Sequence, residues 1–296
     1  MNDTRQGTVL ANYGRGVLVQ DDARAWHCAL KGRKQRPVCG DRVTFSADLS
    51  AETGTVESVQ PRRNLIERID ARGRPEPVAA NLDRVAIVVA PEPAPDWYLV
   101  DRYWAGARLA RIPAMLVINK TDLGGQPLAA EIDNYRRLSL PCLEVAARSG
   151  DGLQALRAAL AGGATLLVGQ SGVGKSSLVN ALVPHARAQT AELTRDEEGR
   201  HTTTTARRYA LDEASALVDA PGVRDFAPPA TMTRAAEHGF PEIDALAARC
   251  RFNDCRHFEE PGCAVRAAVA AGGISPRRYE SYRRLLRLYE RLAEPG

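Results

Sequence analysis

The stretch "ATLLVGQSGVGKSSLVNAL" (164–182) constrains this chain more than any other. A short apolar run enters the pattern G-x-x-x-x-G-K-[ST] at 169–176, and a helix-forming segment follows from about 175. Strand, glycine loop and helix in that order form a phosphate cradle. Gly172 and Gly174 let backbone N–H groups curl around a β-phosphate with no Cβ in the way. Lys175 is suited to sit between β- and γ-phosphates and act on the reaction, and the Ser176 hydroxyl to ligate Mg²⁺. Gly169, Gln170, Ser171, Val173 and Ser177 complete the set expected to contact nucleotide, where the helix dipole favours an anion.

Upstream lies "AMLVINKTDLGG" (114–125), an apolar strand followed by Asn119-Lys120-Thr121-Asp122. Asp122 can accept hydrogen bonds from guanine N1–H and the 2-amino group. Adenine offers neither donor. Hydrogen bonds to a charged group contribute roughly 1.5–3 kcal/mol each, so two of them favour GTP strongly. Lys120 would lie along the base, and Asn119 would tie this loop to the phosphate loop. After the next strand, "VAARSGDG" (145–152) is placed for a second guanine loop, with Ala146 and Ala147 offering backbone N–H groups.

Two further segments sense a γ-phosphate. "LVDAPG" (217–222) is Asp-x-x-Gly after an apolar strand, with Asp219 toward Mg²⁺ and Gly222 toward the γ-phosphate. "GRHTTTTARR" (199–208) can supply one hydroxyl to Mg²⁺, from Thr203 or Thr204. Many GTPases orient the attacking water with a Gln after Asp-x-x-Gly; Val223 stands there, and His201 is the candidate to replace it.

The guanine loops thus precede the phosphate loop, the reverse of the usual order. A parallel sheet can be cut and rejoined this way when the old termini lie close together.

The flanks differ from this centre. Residues 7–60 hold five short strand-like runs separated by turn residues, as in a small OB-type barrel. The basic loop 31–36 (Lys31, Arg33, Lys34, Arg36) suits RNA. Residues 62–77 look like a connector. From 82 onward, buried strands alternate with helices: 96–111, about 127–138, and 151–162 with Asp151 as its cap. Only four of the 40 basic residues are lysine, and two of those, Lys120 and Lys175, occupy the two motifs. Net charge is +4 over residues 1–75, −2 over 76–239 and +2 over 240–296. Basic ends around a neutral centre fit an enzyme flanked by anion-binding modules. No run of 18 apolar residues crosses a membrane and no secretory leader opens the chain, so a cytoplasmic location is expected.

Near the C-terminus, Cys250, Cys255, His257 and Cys263 have the composition of a closed structural Zn²⁺ site. Beyond them, Arg277, Arg278, Arg283 and Arg284 line a helix and are candidates for rRNA phosphates.

Taken together, "CGDRV", "ANLDRVAIVVA", "NKTDL", "GQSGVGKSSLVNAL", "GRHTTTTAR", "DAPGVRDF" and "CRFNDCRHFEEPGCAV" resemble the circularly permuted, ribosome small-subunit-dependent GTPases, the RsgA family, also called YjeQ or YloQ. The resemblance covers residues 7 to about 290. It implies an OB domain (1–70), a permuted GTPase (71–232) and a helical zinc-binding domain (233–296). It also implies docking on the small ribosomal subunit and its 16S rRNA late in maturation, with Zn²⁺ and Mg²⁺ as cofactors. A monomer with GTP and GDP as ligands is expected. The alternatives are a GTP-dependent switch whose purpose is occupancy of the subunit, or a GTPase acting on another structured RNA or a membrane.

Overall fold

The computed structural model describes residues 3–31, 36–70, 74–124, 128–183, 206–220 and 238–293. Alternation of apolar and polar residues sets the first five strands: β1 (Asp3–Asn12), β2 (Gly16–Gln20), β3 (Ala25–Leu30), β4 (Arg42–Asp48) and β5 (Thr53–Val59). In β4, Val43, Phe45 and Ala47 point inward, where Val9, Val19, Trp26 and Val56 meet them. β1 pairs with both β2 and β4, and β3 pairs with β5, so the sheet closes on itself as the sequence suggests. Lys31 is exposed and pairs with Glu57 at 2.7 Å, and Arg36 is exposed. Arg33 and Lys34 lie outside the described residues.

The expected connector at 62–77 is instead a hairpin of β6 (Leu65–Ile69) and β7 (Pro75–Ala80). Pro75 and Pro77 lack a donor, which a two-stranded ribbon tolerates because each strand has a free edge. Ile66 and Ala79 join the core of the following domain. The expected boundary at 70/71 falls between the two strands of this hairpin.

The second domain is a sheet ordered β10–β9–β8–β11–β13–β12. β8 (Arg84–Val89), β9 (Ala114–Ile118), β10 (Cys142–Glu144), β11 (Ala164–Gly169) and β13 (Ala216–Asp219) are parallel. β12 (Arg207–Ala210) runs antiparallel to β13 and reaches the barrel, where Arg207 pairs with Ala11 of β1. β8 is buried almost throughout because helices cover both faces. Those helices are α1 (Trp97–Leu109), α2 (Ala129–Arg137), α3 (Leu153–Leu160) and α4 (Lys175–Leu182). Asp96 caps α1 by accepting from Leu99 N–H. α3 lacks the cap expected of Asp151. Gly152 takes that position at φ 72°, where a Cβ would lie 2.2 Å from the Glu144 carbonyl oxygen, and the Asp151 carboxylate accepts from the Ser149 hydroxyl.

The third domain holds α5 (Pro241–Ala247), α6 (Ala264–Ala270) and α7 (Pro276–Ala293). α7 packs on α1, and here the structure corrects an expectation. Arg278 is 1% exposed. Its guanidinium donates to Asp101 of α1 at 2.6 Å and to both carboxylate oxygens of Glu242 at 2.5 and 3.0 Å. Arg277 bonds Asp101 at 2.7 Å and Glu131 at 2.8 Å. Both are interdomain ties, and Arg278 has no surface to offer RNA. Arg283 and Arg284 stay on the outer side of α7, each 3.3 Å from Glu280.

Candidate nucleotide site and metal centre

Among the described residues, the two expected guanine loops and the phosphate loop leave the C-terminal ends of parallel strands β9, β10 and β11, the place where open α/β sheets bind ligands. Asn119 follows β9 and is 1% exposed. Its side-chain amide donates to the Val173 carbonyl in the phosphate loop at 2.9 Å. Its side-chain oxygen accepts from Ala147 N–H in the 145–152 loop at 3.1 Å. One buried amide thus joins three loops that are far apart in sequence.

Lys120 adopts φ 61°, and its ammonium donates to the carbonyls of Glu92 and Gly172, each at 2.8 Å. The stretched side chain spans the gap between guanine loop and phosphate loop. Thr121 binds the Val145 carbonyl through both backbone N–H and hydroxyl. Asp122 stands exposed in the single 3₁₀ turn that follows, free to face a base. Ala146 is buried, and its N–H is occupied by the Asp151 carbonyl at 2.9 Å. The N–H groups of Ala146 and Ala147 are thus both engaged within the protein.

In the phosphate loop, Gly169, Gly172 and Gly174 have φ of 149°, 85° and 92°. A Cβ at Gly169 would lie 2.3 Å from the Val88 carbonyl oxygen, and one at Gly174 2.3 Å from the Asn119 amide nitrogen. Glycine there serves both the turn and the joint between loops. Ser171, Gly172, Ser176 and Ser177 are exposed along the loop and the first turn of α4, while Val173 anchors it in the core. Lys175 donates to the Gly169 and Gln170 carbonyls at 2.8 and 3.0 Å. Asp219 ends β13, next to β11, so it stands beside the loop that carries Ser176. Burial holds its carboxyl above the ordinary carboxylate range, and Lys175 offsets part of that shift. His201, Thr203, Thr204, Gly222 and Val223 lie outside the described residues.

One contact here had no sequence signal. The Gln170 side-chain oxygen accepts from Asp96 N–H at 3.0 Å, linking the phosphate loop to the start of α1. The same helix carries Asp101, so α1 touches the loop at one end and the third domain further along.

The metal ligands converge as their spacing suggests. Their ligand atoms lie within 4.8 Å of one another. Cys250 and Cys263 sulfurs are 3.9 Å apart, and each lies 3.5 or 3.4 Å from His257 Nδ1. Zn–S and Zn–N bonds of roughly 2.3 and 2.0 Å give S···S and S···N tetrahedral edges of about 3.8 and 3.5 Å. The donor set therefore fits Zn²⁺, with three thiolates and one imidazole closing the shell. Gly262, at φ 73°, turns the chain into Cys263. Tyr279 and Tyr282 of α7 bond the carbonyls of His257 and Arg256, so the helix and the ligand loop form one body.

Comparison with known proteins agrees with this geometry. A model of the RsgA GTPase family matches residues 59–228. The small ribosomal subunit biogenesis GTPase RsgA of Azotobacter vinelandii is 42% identical over 292 residues, spanning 95% of this chain and 85% of that protein. The protein of the same name from Histophilus somni is 37% identical over 295 residues, spanning 97% and 84%. The crystal structure of YjeQ from Thermotoga maritima superposes with a TM-score of 0.74 at 29% identity, over 99% of this chain and 100% of that one. YloQ, described as a circularly permuted GTPase, superposes at 0.72 and 22% identity over 99% and 97%, a likeness of fold.

Proposed function

The chain belongs to the RsgA GTPase family, and from that premise we propose that it hydrolyses GTP on the small ribosomal subunit during that subunit's biogenesis. Hydrolysis is stimulated by the subunit and coupled to release. The observation that carries the nucleotide half is the Asn119 side chain, which fixes the guanine-reading loop against the phosphate loop.

The residues divide the work as follows. Asp122 accepts from guanine, and Lys120 covers the base. Gly172, Gly174 and Lys175 hold the β- and γ-phosphates, as backbone donors and as a cation. Ser176 and Asp219 would hold Mg²⁺, with one hydroxyl from Thr203 or Thr204. Mg²⁺ bound there neutralises charge on the transferring phosphoryl oxygens. The charge spreads in the transition state, so prepositioned donors act more there than in the ground state. Val223 cannot orient water, so the intrinsic rate is slow, and His201 supplies the orientation on the subunit. The zinc site has no open position and acts structurally.

Three modules serve this cycle: the barrel through residue 60, the GTPase from β6 onward, and the zinc module from about 238. The working form is a cytoplasmic monomer that contacts 16S rRNA. No described helix is long and apolar enough to cross a membrane. The deciding experiment measures phosphate release from GTP with and without purified small subunits, with ATP as control. Stimulation confined to GTP is expected; equal rates with and without subunits would overturn the proposal.

A further inference from the structure

Burial of Arg278 removes part of the basic surface expected of α7, and the structure points to another part of the zinc module. Phe252 is 40% exposed. Among the described residues it is the only aromatic side chain that stands exposed. It sits between the metal ligands Cys250 and Cys255, on a loop with little freedom to collapse. Cys255 N–H closes a turn on the Phe252 carbonyl at 3.2 Å, and Arg251 N–H holds the Gly262 carbonyl at 3.1 Å. The candidate zinc ligands Cys250 and Cys255 bound the loop on either side of Phe252. An exposed apolar ring on a rigid loop loses little entropy when something stacks on it.

The surroundings are cationic. The Arg251 guanidinium lies 5.5 Å from the Phe252 ring. Arg249, Arg251 and Arg287 are exposed, and among the described residues no carboxylate pairs with any of them. Further along the same loop Arg287 and Arg256 flank the Phe258 ring at 5.2 and 5.4 Å, and of these two Arg256 is paired with Glu290. A bare ring alone would suit an apolar protein partner. A ring bordered by the Arg251 guanidinium, with which no described carboxylate pairs, suits an unstacked base with its phosphates.

We propose that Phe252 is a stacking platform for an unpaired nucleotide of RNA, with Arg251 and Arg249 holding the adjoining phosphates. The proposal rests on the reading that the chain docks on the small subunit. It deepens that reading by naming the mode of contact: a splayed base rather than a helical groove.

The test compares Phe252→Ala, Phe252→Leu and Phe252→Tyr in the full chain with zinc bound, each first shown to hold one zinc and to melt like the parent. Binding to purified small subunits is measured with a non-hydrolysable GTP analogue. Stacking contributes enough that Phe252→Ala and Phe252→Leu weaken binding about tenfold, while Phe252→Tyr binds like the parent. A photo-crosslinking phenylalanine analogue at position 252 should attach to rRNA. Leucine binding like the parent, or a crosslink only to ribosomal protein, would overturn the proposal in favour of an apolar protein contact. Parent binding with all variants equal would overturn the platform and leave the docking reading standing. Failure of the parent to bind would overturn both.

Discussion

The Arg278 cluster permits a quantitative prediction. Its guanidinium is 1% exposed and joins two carboxylates from different helices, with the Trp104 and Phe240 rings 4.7 and 4.9 Å away. Arg278→Ala leaves the Glu242 side chain, itself 8% exposed, without its two-pronged partner. Breaking a buried pair costs about 3–5 kcal/mol. Asp101 keeps Arg277 at 2.7 Å, which places the cost at the lower end, about 3 kcal/mol. For a chain of this size that corresponds to a fall of about 6–12 °C in Tm. Thermal unfolding followed by circular dichroism measures it. Arg278→Lys should recover only part, because one ammonium cannot reproduce the fork that spans both carboxylates. Adding Glu242→Gln to Arg278→Ala should recover stability, since the stranded charge is then gone. A Tm loss below about 2 °C for Arg278→Ala, or further loss in the double variant, would refute the assignment of Arg278 to a buried interdomain pair.

Other consequences are as direct. Gly174→Ala drives a Cβ toward the Asn119 amide and should weaken GTP binding at least about tenfold by titration calorimetry, since it disturbs a φ of 92° as well as the joint between loops. Asp122→Asn removes acceptors worth roughly 1.5–3 kcal/mol each, so the preference for GTP over ATP in competition binding should fall by more than about tenfold. Cys255→Ser, or prolonged chelation, should release one zinc per chain and lower the helix signal from residues 241–293. In the barrel, burial opposes ionisation of Asp21, but hydrogen bonds from Arg24 N–H, Arg5, Ala23 N–H and the Trp26 indole outweigh it and hold the carboxyl down at about 2. Its folded value is below its unfolded one, so its contribution is full above about pH 4 and is lost as pH falls toward 2. Asp21→Asn should therefore cost about 2 kcal/mol in denaturant unfolding at pH 7, with the gap closing below pH 4.

Sequence reasoning reached furthest where local chemistry is obligatory. The glycines of 169–174, the tetrapeptide at 119–122 and the four metal ligands need their residue types in any fold that uses them. The five barrel strands were legible from alternation. The β6–β7 hairpin was not, because Pro75 and Pro77 mimic a linker and its pairing with the core is tertiary. β12 is four residues long and opens with two arginines, so nothing in its composition marks a strand. At Arg278 the helical period, not the charge, sets which face the side chain takes. Positions 278, 282, 285 and 289 recur at helical spacing, and the other three are Tyr282, Leu285 and Tyr289, all buried. That stripe puts Arg278 on the inner face, where an arginine requires carboxylate partners.

The strand order has a consequence for how the chain is made. Of the strands of the second domain's sheet, β8, β9 and β10 leave the ribosome first and can pair at once. The open edge of β8 then belongs to Val85–Val89, an unbroken apolar run, and its permanent neighbour β11 is not yet synthesised. In an unpermuted chain the phosphate-loop strand would come early. Here it arrives late and inserts at that waiting edge, so the nascent protein carries an exposed, sticky strand until residues 164–169 emerge. The sheet therefore depends on its own second half arriving in time to cover the first.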